Sequence, residues 1–386
     1  MFSSRVPETM EPNAMSRALR GASEAGRVLL DLTLTNPTKA DFDYPDTLLA
    51  SLHSAEALVY APSPLGIRRA REAVAKDYSR RGLQIDPAHI VLTSSTSEAY
   101  SILFKLLCDA SGDNVLVPVP SYPLFEHLTR LDGVSPVQYS LEYHGRWTLG
   151  VDSVEKHWTP RTRAVLGVSP NNPTGSCFSP AELAALSALC MSRGAALILD
   201  EVFADYPLRE AALEDSHVES ACLTFRLGGL SKSVGLPQVK LGWMAIEGPG
   251  NEVNAALERL EFICDAYLSV STPVQMAAGA LLQQGAAVRA QIQSRVRANY
   301  HRLIERMAAH PSIEVLAADA GWSAVLRVPA RTGEEALVIE LIEREGVIAH
   351  PGFFFDFAHE AFLVVSLLPH PAVFDEGISR IVQTAG

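Results

Sequence analysis

The stretch RAVLGVSPNNPTGSCFSPAELAALSALCMSRGAALILDEVF, residues 163–203, sets two apolar runs, RAVLGVSP (163–170) and AALILDEVF (195–203), on either side of a helical pattern. The helix, SPAELAALSALCMSRG (179–194), has clear bounds: Ser179 as N-cap, Pro180 at its first position and Gly194 past its end. Uniformly apolar strands separated by a helix predict parallel strands buried on both faces. Two upstream segments extend the pattern. HIVLTSS (89–95) feeds TSEAYSILFKLLCD (96–109), in which Tyr100, Leu103, Phe104, Leu106 and Leu107 fall near helical spacing, and NVLVPVP (114–120) follows. In open sheets of this kind ligands gather at the C-terminal strand ends. The conspicuous polar residues sit there: TSSTS after one run, PSYP after the next, SPNNPTG after a third, and Asp200 closing LILD.

Beyond about residue 290 the texture changes to a long amphipathic helix, VRAQIQSRVRANYHRLIERMAAH (288–310), and shorter strand candidates, SAVLRVP, GVIAHPG and AFLVVSLLP. A chain of 386 residues exceeds what one hydrophobic core usually covers. The expected class is therefore α/β, a large domain with a mostly parallel sheet sandwiched by helices, plus a smaller α+β domain. The formal net charge of −12 argues against a nucleic-acid groove, yet a local basic pocket survives an acidic average. Five cysteines without a CxxC pair read as reduced thiols in a cytosolic protein, and eleven histidines show no metal-ligand spacing. The N-terminus lacks the apolar run of a signal peptide, and no segment has the ~18 apolar residues of a membrane span.

GGLSKSVGLPQVKLGW (228–243) puts Lys232 between two serines, in a stretch that reads as a loop too glycine-rich for a regular helix or strand. A lysine that attacks a carbonyl at neutral pH needs its amine freed by a nearby cation, for which Lys240 is a candidate, or by desolvation. Glycines let backbone approach a ligand, and serines with a second cation suit a phosphate. Pyridoxal phosphate calls for this set: an aldehyde for the lysine, a phosphate, and a pyridine nitrogen that takes a carboxylate partner, for which Asp200 stands at a buried strand end.

NNPTG, DEVF and GLSK, with a basic residue eight positions beyond, come in the order and at the spacing that resemble the fold-type I pyridoxal-phosphate enzymes. Within them the chain resembles the class I/II aminotransferases, alanine-aminotransferase-like members above all, over essentially its whole length. The resemblance implies a large domain over 46–289 and a small one built from 1–45 and 290–386, with VLLDLTLTNP packed into the latter. It implies that Lys232 forms the Schiff base and later shuttles the substrate's proton, that Asp200 pairs with the pyridine nitrogen, and that Asn172, before a cis proline bond, meets the ring's phenolic oxygen. Tyr122 would stack on the ring. Ser95, Thr96, Ser231 and Lys240 would hold the phosphate, and Tyr60 would reach the phosphate of a partner subunit. The implied protein is a cytosolic homodimeric aminotransferase that runs a ping-pong exchange between an amino acid and a 2-oxo acid. A lyase or decarboxylase with the same cofactor is the alternative. A ligand-sensing regulator would need a basic DNA-binding segment, which residues 1–30 are too short and too weakly charged to form.

Four positions depart from the family's pattern. Phe203 replaces a tyrosine that would bond the ring oxygen, which implies a raised pKa for the lysine–cofactor linkage; Tyr206 lies in a different frame. Lys240 replaces an arginine, and Gly229 a frequent serine. In AFLVVSLLP, Leu363 or Val364, by a one-residue alignment choice, stands where the family has a carboxylate-binding arginine. Either another cation takes over or the substrate presents no carboxylate there. Asn36, Lys39 and Arg327 are the candidate substrate contacts. HPGFFFDF (350–357) fits a core or an active-site rim, with His350 read as a satisfied structural residue.

Overall fold

The structure is a computed structural model that describes residues 2–9, 11–110, 112–209 and 220–386. In chain order the strands are β1 (Leu30–Asp31), β2 (Ile90–Thr93), β3 (Asn114–Val119), β4 (Ser135–Tyr143), β5 (Trp147–Leu149), β6 (Thr162–Val168) and β7 (Ala196–Asp200). Then come β8 (Thr224–Gly229), β9 (Gly242–Glu247), β10 (Glu314–Val315), β11 (Ser323–Arg327), β12 (Val347–Ile348), β13 (His350–Pro351) and β14 (Phe362–Ser366). Strands β2 to β9 form one sheet in the order β2-β9-β8-β7-β6-β3-β4-β5. The run β8-β7-β6-β3-β4 is parallel, as the apolar runs predict, while β9 is antiparallel to both its neighbours and β5 to β4.

Alternate residues of these strands enter cores on opposite faces. Val115, Val117, Leu166, Ile198 and Phe225 pack with Tyr100, Leu103 and Phe104 of the helix Thr96–Leu107 and Leu260 of the helix Gly250–Asp265. Leu116, Val165, Leu197 and Leu199 pack on the other face with Leu183, Leu186 and Cys190 of the helix Pro180–Arg193. That helix carries the expected caps. Ser179 accepts from the Glu182 amide, Glu182 returns the bond, Pro180 opens the helix and Gly194 closes it in the left-handed region.

A second sheet has the order β10-β11-β14-β13, and β1 pairs in parallel with β12. A separate core joins Met15, Ala18 and Leu32 to Val296, Leu303, Leu326, Leu363 and Phe374, and also takes Phe203 and Tyr206 from just beyond β7. The stretch read as an irregular loop around Lys232 is more regular than its glycines suggest. β8 runs through Gly228 and Gly229, and Leu230–Ser233 is one helical turn. The correction has a steric cause: Gly228 faces the Trp243 indole, where a Cβ would lie 2.5 Å from Nε1.

The loop that follows β6 ties the two sheets together. The Gly175 carbonyl accepts from the Asp319 and Ala320 amides at 2.9 and 3.0 Å, and its own amide donates to Asn171 at 2.8 Å. Gly175 has φ +68°, and an added Cβ would lie 2.6 Å from both the Ala318 Cβ and the Ala320 carbonyl oxygen. Gly175→Ala is expected to lower folding stability by about 2 kcal/mol or more, since a left-handed residue with a Cβ costs about 1–2 kcal/mol before any clash. Denaturant unfolding at equilibrium checks this.

Candidate active site

Register places the polar clusters on one edge of the large sheet. Thr93, the last residue of β2, pairs with Gly242, the first of β9, and Gly242 pairs with Gly229, the last of β8. Ser95 and Thr96, Lys240, and the turn bearing Ser231 and Lys232 therefore leave three adjacent strands at the same level. One strand further, Asp200 ends β7 opposite Leu227, and Val168 ends β6 opposite Asp200. Close approach is possible because Gly242 lacks a side chain: a Cβ there would lie 2.8 Å from the Ser95 carbonyl carbon.

Ser95 caps the helix Thr96–Leu107, its hydroxyl accepting from the Glu98 amide at 3.1 Å, so the amides of the first helical turn face the same edge. Asp200 is buried and has two fixed donors. The Tyr100 hydroxyl donates to Oδ2 at 2.7 Å and the Val202 amide to Oδ1 at 3.1 Å. Burial raises the Asp200 pKa, against the pull of those donors and of Lys232. Lys232 is pushed down to about 8, from an ordinary 10.5, by burial, while Asp200 acts in the opposite sense. The cause is thus desolvation and not Lys240, which is exposed and adopts φ +59°. The Lys232 ammonium lies 5.0 Å from the Trp322 ring centre and 5.7 Å from that of Phe203.

The remaining candidates fall at different distances from this group. The Asn172–Pro173 bond is cis, and Asn172 Oδ1 accepts from the Ser323 hydroxyl at 3.4 Å. Its neighbour Asn171 is the buried anchor of the loop, bonded to Ser121, Pro120 and Thr174. Tyr122, just beyond β3, is 46% exposed. Asn36 accepts from the amide and hydroxyl of Thr38, and Lys39 is exposed at the end of that turn. The Leu34 carbonyl accepts from Ser366, which pairs with Ser323, so this segment lies near Asn172. Arg327 lies elsewhere: four residues from Ser323 on β11, ~13 Å away at strand rise, it pairs with Glu314 at 2.9 Å. Tyr60 is 75% exposed and shares a crevice with Leu268, Ser269 and Gln275.

The alignment choice at the missing arginine has a structural answer. Val364 pairs with Val325 and His350, and with Ser323 two residues along β11 it shares the face that meets Asn172; Leu363 points to the opposite face. In HPGFFFDF, Phe355 is buried and Phe353 is 44% exposed, so the segment is both core and surface. His350 is not the satisfied residue expected, because its Nδ1 is buried without a hydrogen-bond partner among the described residues.

Three contributors escape a reading of the sequence. Tyr100 looks like one more member of an apolar helical stripe. Tyr206, in the wrong frame for the ring, is fully buried and donates to the carbonyls of Lys232 and Ser233, the latter at 3.1 Å. Arg289 Nε donates to the same Ser233 carbonyl at 2.7 Å. A hydroxyl on an otherwise apolar stripe is the only signal the sequence offered for Tyr100.

The profile of the family "aminotransferase class I and II" matches residues 35–381. The chain belongs to that family. Among its relatives, the glutamate-pyruvate aminotransferase AlaA of Escherichia coli K12 is 30% identical over 259 residues, 66% of this chain and 63% of the relative. The alanine aminotransferase of Mycobacterium tuberculosis H37Rv is 31% identical over 260 residues, 65% of this chain and 59% of the relative. The matched region thus spans less than two thirds of those relatives' length. Solved structures share the fold. The alanine aminotransferase of Pyrococcus furiosus superposes with a TM-score of 0.87 at 22% identity, over 99% of both chains. The Thermotoga maritima aspartate aminotransferase gives 0.82 at 22% identity, over 99% of both.

The depressed Lys232 amine is testable without any ligand. Amine-selective labelling of the protein should show one lysine, Lys232 by peptide mapping, whose rate reaches half its plateau near pH 8. Because Asp200 favours the charged amine, Asp200→Asn should move that midpoint lower still.

Proposed function

We propose that the chain is a pyridoxal-phosphate-dependent aminotransferase that moves an amino group between an amino acid and a 2-oxo acid. The observation that carries the reading is the meeting, on one sheet edge, of a desolvated lysine, a buried carboxylate and a helix N-terminus. The cofactor suits that donor set. A buried carboxylate oriented by two donors matches a protonated ring nitrogen, a helix N-terminus with the Ser95 and Thr96 hydroxyls matches a phosphate, and an amine whose pKa is lowered to about 8 matches an aldehyde. When bound, the cofactor supplies an electrophilic carbonyl and a ring that accepts electrons from the substrate's α carbon.

In this reading Lys232 carries the cofactor and later moves the proton at the α carbon. Asp200 faces the ring nitrogen, Asn172 the phenolic oxygen and Tyr122 the ring plane. Ser95, Thr96, Ser231 and Lys240 hold the phosphate. Tyr60, exposed beside the equally exposed Leu58 and Val59, reaches the phosphate of a second copy, which makes the working form a homodimer. We place the enzyme in the cytosol; among the described residues no helix is long and apolar enough to cross a membrane. Its large unit spans 46–289, and its small unit joins 1–45 to 290–386.

With Val364 in place of a guanidinium, the substrate carboxylate is received by the Asn36–Lys39 turn. That turn lies on the Asn172 side of the second sheet, whereas Arg327 is paired away with Glu314. Lys39→Ala is expected to raise KM for the amino acid about tenfold, the worth of a charge-assisted hydrogen bond, with kcat nearly unchanged. An unchanged KM removes Lys39 from the site.

The reading as a whole is tested by mixing cofactor-loaded protein with single amino acids, without oxo acid. A donor should deplete the cofactor's visible absorption band and release one matching oxo acid per site. Lys232→Ala should abolish turnover. A band unmoved by every standard amino acid would overturn the assignment.

A further inference from the structure

We propose that Tyr100 is a positioning residue of the Lys232 site, whose hydroxyl holds Asp200 as an oriented carboxylate that, among the described residues, no arginine pairs. The inference rests on the cofactor reading above and concerns how this chain prepares the charge that faces the ring nitrogen.

Tyr100 stands about one turn inside the helix capped by Ser95 and is 2% exposed. Its ring stacks on Phe104 at 6.2 Å and meets the edge of Phe125 at 5.4 Å, so packing fixes the direction of the hydroxyl. That hydroxyl donates to Oδ2 at 2.7 Å while the Val202 amide donates to Oδ1 at 3.1 Å. One donor on each oxygen fixes the plane of the carboxylate. Burial keeps the phenol neutral, its pKa well above the ordinary 10.0, so it acts only as a donor.

The next residue shows why neutrality matters. Glu201 points to the other side of the strand and is held by two guanidiniums, those of Arg226 and Arg81. A carboxylate so paired has no charge left for a cationic ligand. A phenol favours the ionised form of Asp200 without tying it to a guanidinium, which leaves the carboxylate for the ring nitrogen. Phenylalanine would satisfy the packing among Phe104 and Phe125, so the hydroxyl is what the proposal concerns.

The test compares wild type with Tyr100→Phe, without and with cofactor. Tyr100 and Lys232 are the titratable groups that face Asp200, and Glu201 acts on it from the other side of the strand. The folded-state pKa of Asp200 is raised, so its ionisation works against the fold once pH rises through that pKa, and the phenol offsets part of the cost. In the cofactor-free protein, the melting-temperature deficit of Tyr100→Phe should therefore be smallest in acid and grow with pH. In the loaded protein, cofactor dissociation should be about tenfold faster. Fluorinated tyrosine at position 100 keeps the ring and strengthens the donor, so it should shift both readouts the opposite way, and it serves if Tyr100→Phe folds poorly. A deficit independent of pH overturns the proposal, as does an unchanged dissociation rate. A wild-type protein that takes up no pyridoxal phosphate overturns the functional reading itself, and this inference with it.

Discussion

Backbone meeting backbone at Gly242 is the constraint on which the Lys232 edge depends. Gly242 pairs with Thr93 on one side and Gly229 on the other, and both contacts are close: a Cβ on Gly242 would lie 2.8 Å from the Ser95 carbonyl carbon, and one on Gly229 3.1 Å from the Leu241 carbonyl oxygen. The antiparallel β9 thus starts where the parallel β2 and β8 stop. Three connections leave the sheet level with one another, and the serines, the lysine turn and the helix N-terminus share a rim without any long-range loop to gather them. The glycines serve contact here more than flexibility.

Electrostatics on that rim follow from strand geometry. Successive side chains leave an extended chain on opposite sides, and the end of β7 and the residue after it put a carboxylate on each: Asp200 turns to Tyr100 and Lys232, Glu201 to Arg226 and Arg81. Burial raises Asp200. For Glu201 the same burial is outweighed by the two arginines, and its pKa falls. One strand end therefore sets a carboxylate knotted to two arginines next to one that, among the described residues, no arginine pairs. The knot continues outward, since Arg226 also meets Glu247 on β9 and so fastens β8 to both neighbours.

Much of this was legible in the residues. Unbroken apolar runs with polar ends predict a mostly parallel sheet and its working edge, because a strand buried on both faces has polar freedom only where it stops. The capped helix at 180–193 is written out in Ser179, Pro180, Glu182 and Gly194. What stayed hidden depends on distant partners. Nothing near Tyr100 announces a carboxylate 100 residues away, and nothing near Tyr206 announces the carbonyls of Lys232 and Ser233. The glycine-rich stretch misled because composition was weighed without Trp243, the neighbour that excludes a side chain at Gly228. Arg327 reads as a bare charge in the sequence, and only strand register shows it four residues along β11 from Ser323 and tied to Glu314.

The strap at Gly175 has a mechanical consequence. Asn172 rides on the loop whose carbonyl at Gly175 takes the amides of Asp319 and Ala320, and two residues further Trp322 stands over the Lys232 amine. The asparagine on the large sheet and the indole on the small one are therefore links of a single linkage. A shift of the second sheet is thus passed, through the Gly175 carbonyl, to the loop that carries Asn172 as well as to the indole beside the Lys232 amine.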